Sequence, residues 1–145
     1  MPLDRTIPAL PVVSVARAVE AYVDRLGFEV VHLDPNGFAI VARDAAEIHL
    51  WQSSDEGWRL RPAEDVADCP VRTGAEDFIS GTASCRISCS DVAEVDALHA
   101  ELAAAGALHP TDGGAPVDTE WGTREFAALD LDGNLLTFFV WTRPR

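Results

Sequence analysis

Two side chains that could begin a metal or acid–base site stand two residues apart in the run EIHLW. They are Glu47 and His49, and alternate residues of a β-strand face the same side of the sheet. A carboxylate beside an imidazole is a combination that divalent metals accept, but two ligands from one strand do not fill a coordination sphere. The spacing therefore predicts that both side chains face a cleft. A structural role for His49, with its ring nitrogens satisfied by neighbours, is the competing interpretation.

Other reactive side chains are scattered. The chain has no GxSxG elbow, no P-loop and no HExxH motif. His99 falls in a predicted helix rich in acids, where we expect it to be solvated. Cys85 and Cys89 lie four apart in a strand-like run, so they should face one side, and with Cys69 they form no zinc-ligand spacing. Free thiols are the expected state of all three.

The elements that must position these residues come in two similar halves. The first half begins with the predicted strand TIPALPVV and the helix SVARAVEAYVDRLGF, in which apolar residues recur at helical spacing up to the terminating Gly27. Predicted strands EVVHL, FAIVAR and EIHLW follow. The turn between the first two of them, at residues 34–37, contains Pro35 and Gly37.

The second half repeats this order with TASCRISC, the helix SDVAEVDALHAELAAAG, and then ALHP, REFAALD and NLLTFFVW. Phe38-Ala39 matches Phe126-Ala127 in this comparison, and Trp51 matches Trp141. The pattern predicts a single α+β domain of two β-α-β-β-β modules, residues 1–52 and 82–145, joined by a loop over residues 53–81. Paired modules of this kind form an open barrel of curved sheets with a ligand cleft inside.

Three stretches, VARAVEAYVDRLGF, WGTREFAALDLDGN and SCRISCSDVAEVDAL, resemble the glyoxalase/bleomycin resistance/extradiol dioxygenase superfamily, also called the vicinal oxygen chelate fold. The resemblance covers nearly the whole chain except the central loop, and within the superfamily it is strongest to the bleomycin resistance proteins. It implies the fold described above. It also implies either a divalent-metal enzyme or a drug-binding protein.

The resemblance allows the metal-ligand positions of the enzymes to be carried onto this chain. They fall near Ile7, at Glu47, at Ser84 and at Thr137. Only Glu47 is a competent ligand, because an isoleucine side chain coordinates nothing and hydroxyls are poor ligands for transition metals. We therefore expect these positions to be vestigial, with no metal, no cofactor and no catalytic residue.

The same resemblance indicates where a planar ligand would bind. Phe38 and Trp121 match aromatic positions that sandwich the bithiazole of bleomycin in similar proteins, and Gly122 frees the backbone beside Trp121. Core packing is the alternative role for Trp51 and Trp141. The predicted ligand-binding residues are Phe38, Trp121, His49, Trp51, Trp58, Asp34, Glu120 and Gly122, and nearby acids that could meet a cationic group are Asp55, Glu56 and Asp118.

Composition limits the classes of partner. A formal net charge of −13 disfavours nucleic acid, whose phosphates need basic clusters, and is compatible with a cationic small molecule or with simple solubility. No apolar run is long enough to span a membrane. The N-terminal stretch lacks a signal-peptide pattern, which predicts a cytoplasmic protein.

These observations favour a metal-independent protein that sequesters a bleomycin-family antibiotic, or a similar planar cation, without turnover. The alternatives are a metal-dependent lyase, isomerase or dioxygenase of the same superfamily, and a small-molecule sensor. The resemblance further implies a homodimer that exchanges its N-terminal strand, and prolines at 8 and 11 suit such an edge strand. In that arrangement both chains contribute to each cleft.

Overall fold

The computed structural model describes residues 2–53 and 78–144. Eight strands and two helices appear in these residues, in the order β-α-β-β-β followed by β-α-β-β-β. They are β1 Ala9–Val12, α1 Val15–Leu26, β2 Glu29–Asp34, β3 Phe38–Arg43, β4 Ala46–Gln52, β5 Ser84–Ser88, α2 Val92–Ala104, β6 Val117–Asp118, β7 Thr123–Leu129 and β8 Leu135–Trp141. The predicted α+β fold of two repeated modules is confirmed.

Each module forms one four-stranded mixed sheet. Sheet 1 has the order β1-β4-β3-β2 and sheet 2 the order β5-β8-β7-β6. The first strand of each module runs parallel to the last, and the other neighbours are antiparallel. Among the described strands the sheets do not close into a barrel. In this single chain, β1 pairs with β4 of its own module.

One face of each sheet is buried under the helix of its module, and we call the other the open face. Period-two alternation sets this division, since residues such as Val41 and Leu50 pack against α1 while their neighbours point away. In sheet 2, Phe126 and Phe138 stack on the buried side with ring centroids 5.3 Å apart. Buried residues of both modules form a single hydrophobic cluster.

The helices begin and end as their sequences predict. Ser14 caps α1, accepting a hydrogen bond from the Arg17 N–H, and Asp91 caps α2 by accepting one from Glu94. Gly27 follows α1 with φ of 73°, and a Cβ there would lie 2.6 Å from Arg43 Nη1. This glycine therefore provides both the left-handed turn and the space for Arg43.

Three details differ from the sequence predictions. The predicted strand ALHP is reduced to a single bridge between Leu108 and Ala128, and β6 forms the sheet edge instead. Pro110 has no N–H to extend that pairing, and the chain turns there. The match of Phe38 to Phe126 was also wrong, because Trp51 lies opposite Phe38 whereas Trp141 lies opposite Thr123.

The modules are joined by a buried polar cluster at the turn between β7 and β8. Asn134 donates from Nδ2 to the Pro11 carbonyl and to Asp130 Oδ2, both at 2.9 Å, and its Oδ1 accepts from the Ala83 N–H at 3.1 Å. The Tyr22 hydroxyl donates to the same Asp130 oxygen at 2.9 Å. Burial, followed by the negative charge of Asp130, holds the pKa of Tyr22 well above its ordinary value.

We predict that Asn134→Ala destabilises the fold by about 2–3 kcal/mol, because it removes the amide's bonds to both modules and leaves the Ala83 N–H without its partner. The free energy of unfolding in urea measures the effect. Asn36→Ala, the same substitution in an exposed turn of module 1, is the matched control and should change stability by less than about 0.5 kcal/mol. Equal losses in the two variants would show that the cluster does not join the modules.

Candidate functional site

An aromatic platform occupies the open face of sheet 1. The rings of Phe38 and Trp51, opposite each other on β3 and β4, stack with centroids 4.2 Å apart and an interplanar angle of 27°. His49 meets Phe38 edge-on at 5.2 Å, and His32 approaches from β2 at 5.8 Å. Trp51 is half-buried and lies outside the core cluster, so its alternative role in core packing is wrong.

Glu47 and His49 lie side by side on this face, as their spacing predicts. Glu47 Oε2 is 3.2 Å from His49 Nε2 and 3.7 Å from Arg5 Nη2. Asp34 lies beside Phe38 at the sheet edge, where its Oδ1 accepts from the Asn36 N–H at 2.9 Å and holds the turn. The structure therefore brings four of the predicted binding residues, Asp34, Phe38, His49 and Trp51, into one patch.

Trp121 stands apart from that patch. It is 62% exposed, and no ring of the described residues stacks on it. Gly122 has φ of 95°, a conformation that strains any residue with a Cβ, and a Cβ there would also displace the Arg143 side chain. Glu120 is exposed, and its carbonyl accepts a hydrogen bond from Arg143. Trp58, Asp55 and Glu56 lie outside the described residues.

Strand pairing places the neighbours of Phe38 and of Trp121 near opposite ends of β8. Trp51 pairs with Pro11, whose carbonyl contacts Asn134 at the start of β8, whereas Trp121 is next to Thr123, which pairs with Trp141 at the end of β8. Seven residues of extended strand separate these ends by roughly 20 Å. A ring sandwiched between two others needs them within on the order of 10 Å, so one chain alone does not form the predicted sandwich.

The four positions carried over from the enzymes do not form a ligand set. Thr137 lies on the open face of sheet 2, and its neighbour on β5 is Arg86, whereas Ser84 pairs with Leu135. The Arg86 guanidinium lies over Phe139 on this same face, and its positive charge opposes a metal cation there. Ile7 provides no donor atom. In the described parts of the chain, no three His, Cys, Asp or Glu side chains converge in a way that could hold a metal ion.

Three residues that the sequence analysis did not single out occupy the open face of sheet 2. Arg86 Nη2 is 2.8 Å from Glu125 Oε2, and its guanidinium carbon lies 4.4 Å from the centroid of the Phe139 ring. Because alternate strand residues share a face, the place of Phe139 on the same face as Thr137 could have been predicted from the sequence. The contact between Arg86 and Glu125, which are 39 residues apart, could not be predicted without knowledge of the strand register.

The prediction that His99 is solvated was wrong. The side chain is 7% exposed, because it continues the inward stripe of α2 formed by Val95 and Leu102. Its Nε2 lies 3.0 Å and 3.1 Å from the two carboxylate oxygens of Asp112. Burial acts to raise the pKa of Asp112, but hydrogen bonds from the Gly114 N–H and from His99 outweigh it, so that this pKa lies below its ordinary value.

Cys85 and Cys89 behave as predicted, since both face the core side of sheet 2 as free, half-buried cysteines, whereas Cys69 lies outside the described residues. Burial raises the pKa of Cys85 to about 11, with a smaller contribution from Asp130, and a neutral thiol is a weak nucleophile. Neither cysteine lies on an open face. No helix in the described parts of the chain is long and apolar enough to cross a membrane.

Comparison with known proteins agrees with this geometry. The family model described as Glyoxalase/Bleomycin resistance protein/Dioxygenase superfamily matches residues 4–138. A bleomycin resistance protein from Geobacillus stearothermophilus is 45% identical over 135 residues, which cover 93% of this chain and 95% of that protein. Two modules with open sheet faces define a ligand-binding class of fold. The chain belongs to the glyoxalase/bleomycin resistance/dioxygenase superfamily.

Two solved structures that resemble this chain are a binding protein and an enzyme. The bleomycin-binding protein from Streptomyces verticillus, in complex with copper(II)-bleomycin, matches with a TM-score of 0.64 and 27% identity over 95% of this chain and 96% of its own. Lactoylglutathione lyase from Agrobacterium tumefaciens matches with a TM-score of 0.68 at 18% identity, over 97% and 96% of the two chains. Binding proteins and enzymes thus share the fold, and function depends on the site.

We predict that Asp112→Asn lowers stability at neutral pH and that this loss disappears in acid. A depressed carboxyl pKa contributes stability that is fully present above the ordinary value of 3.8 and is lost as the pH falls through the lower pKa of the folded state. Urea unfolding of both proteins at several pH values down to about 2 measures the difference. Asp24→Asn, an exposed helical site, is the control, and a difference that stays constant with pH would contradict the assignment.

Proposed function

We propose that this protein binds and sequesters a bleomycin-family glycopeptide antibiotic, or a similar planar cationic molecule, and so confers resistance without chemical turnover. The observation that carries the proposal is the likeness to bleomycin resistance proteins over nearly the whole chain. The stacked Phe38–Trp51 pair on an open face supports it physically. Flat heteroaromatic rings stack on such surfaces with about 0.5–1.5 kcal/mol beyond the burial of area.

Electrostatics support the choice of a cationic ligand. The net charge of −13 attracts cations over distances of about a Debye length, which raises association rates at low salt. Glu47 lies beside the platform, and Asp34 lies at its edge. A cation in the ligand would meet these carboxylates while its planar part stacks.

The donor set supports binding without a protein-bound metal. Of the four positions carried over from the enzymes, only Glu47 offers a strong ligand, and it lies close to His49 and Arg5. Arg86 stands beside Thr137, where a metal would require a donor. The residues present thus do not fit the metal centre of the enzymes.

We further propose that the working unit is a homodimer in which each cleft combines Phe38 of one chain with Trp121 of the other. The separation of roughly 20 Å along β8 supports two chains, because Phe38 and Trp121 of a single chain are too far apart to stack on the same ligand ring. If β1 were exchanged between subunits, it would pair with β4 of the partner in the same way as it pairs with β4 of its own chain. The exchange would therefore cost little energy. The cytoplasmic location stays a prediction.

We predict that bleomycin binds the metal-free protein with saturation near one drug molecule per chain. Phe38→Ala should weaken this affinity about tenfold, because a stacked aromatic contact is lost. Titration calorimetry on protein treated with a chelator, with elemental analysis of the same sample, measures both quantities. Val23→Ala, on the exposed side of α1, is the control for removal of an apolar side chain.

A full equivalent of zinc, iron, nickel or manganese in the purified protein would contradict the metal-independent proposal and favour the enzyme alternative. Equal affinity in the wild type and Phe38→Ala would remove the platform from the site. Heat from bleomycin that does not saturate would contradict the sequestering function.

We predict that mixing two weakened variants restores tight binding if each cleft is shared. Phe38→Ala and Trp121→Ala homodimers each lack one ring in both clefts. A mixed dimer has one cleft with both rings intact and one with neither. After unfolding and refolding of the mixture, calorimetry should therefore recover tight sites, near one per mixed dimer.

The control is each variant refolded alone, which should recover no tight site. Absence of tight sites in the refolded mixture, with mixed dimers verified by mass, would show that the two rings do not combine across chains.

A further inference from the structure

The open face of sheet 2 contains an aromatic and acidic cluster that the proposed function does not use. Phe139 lies at the centre of the sheet, with Glu125 directly opposite on β7. Trp141 meets the Phe139 ring edge-on, with centroids 6.1 Å apart at 89°. We call Phe139, Glu125 and Trp141 the β8 subsite.

This combination is suited to a cation. The face of an aromatic ring attracts positive charge through its quadrupole, and a second ring with a carboxylate completes the arrangement by which proteins recognise alkylammonium and guanidinium groups. The Glu125 side chain is only 13% exposed, so its charge is less screened than that of a surface carboxylate. A buried carboxylate of this kind requires a positive partner.

The present partner is Arg86. Its guanidinium lies over Phe139 at 4.4 Å and donates to Glu125 at 2.8 Å, so it fills the β8 subsite as a ligand cation would. Yet the Arg86 side chain is 48% exposed, and Glu125 is the one carboxylate that pairs with it within residues 2–53 and 78–144. By comparison, Arg124 is 20% exposed and bridges Asp96 and Asp118. Arg86 is thus held less firmly than Arg124.

A second position for Arg86 exists nearby. A groove of about 330 Å³ lies between the two sheets, and its lining includes Arg86 and Ser88 on one side and Glu47 on the other. A guanidinium displaced from Glu125 would enter this groove on the side that faces Glu47, which it would share with Arg5 and His49. Rotation of an exposed side chain is fast compared with ligand binding.

We propose that the β8 subsite accepts a guanidinium or alkylammonium group of the ligand and that Arg86 is a built-in competitor, which the ligand displaces towards the groove beside Glu47. The proposal specifies the cationic part of the ligand and so rests on the proposed function. It makes Arg86 a specificity-determining residue, since a ligand cation binds the β8 subsite only if it displaces the Arg86 guanidinium. Weakly binding cations are excluded.

Titration with benzyltrimethylammonium, followed by the amide and arginine side-chain signals in NMR spectra, tests the proposal. Arg86→Gln should bind this probe about three- to tenfold more tightly than the wild type, because the competitor is gone. In the wild type, the side-chain signal of Arg86 should shift as the probe saturates. Adding Glu125→Gln to Arg86→Gln should remove the gain.

The matched control is Arg124→Gln, which changes the net charge equally but faces away from the subsite, and it should bind the probe as the wild type does. Benzyl alcohol, an uncharged aromatic probe, should not discriminate among the variants. Equal affinity of Arg86→Gln and Arg124→Gln for the cation, or an Arg86 signal that does not move, would overturn the proposal and leave a structural ion pair.

Bleomycin titration of the same samples separates this inference from the function on which it rests. Tight drug binding with no discrimination by the cationic probe would overturn the β8 subsite alone. Discrimination by the probe with no drug binding would support the subsite and overturn the proposed antibiotic.

Discussion

The polar cluster around Asn134 is the constraint on which the rest of the structure depends. A single amide side chain bonds to the Pro11 carbonyl, the Ala83 N–H and Asp130, so it fixes the end of β1, the start of β5 and the turn before β8 in one place. The side chain of Asn134 is fully buried, so its bonds to Pro11 and Asp130 are shielded from water and favour the joined modules. The orientation of each open face follows from this joint.

The opposite joint between the modules is built differently. There Arg43 donates to the Leu26 carbonyl at 2.8 Å and forms a bidentate pair with Glu101, in which the Glu101 side chain is half-exposed. A groove of about 410 Å³ remains beside this contact. The two joints thus differ in strength, although the modules repeat the same elements. Both leave the open faces clear, and the helices cover the other faces.

Much of the fold could be predicted because its signals are local. Helical spacing in α1, the cap residues and the shared face of Glu47 and His49 each depend on a few neighbouring residues. Phe38, by contrast, was singled out by its match to aromatic positions of similar proteins. His99 was misjudged since the charges around it on the helix were weighed above its place in the stripe of Val95 and Leu102.

Other features depend on strand register, which the sequence does not state. Strand pairing determines that Arg86 contacts Glu125 and Phe139 and that Arg86 is the neighbour of Thr137. It also determines that Thr123, and not Phe126, corresponds to Phe38 in the second module. The long distance from Phe38 to Trp121 follows from how the modules join. A planar ligand held between Phe38 and Trp121 therefore requires one ring from each of two chains.

The most direct test of this account is native mass spectrometry of chelator-treated protein with bleomycin, because one spectrum gives the number of chains, drug molecules and metal ions together. We predict a dimer that holds two drug molecules, with no metal ion other than one bound by the drug itself. A single chain that holds the drug, or a chain that keeps its own metal ion, would contradict it.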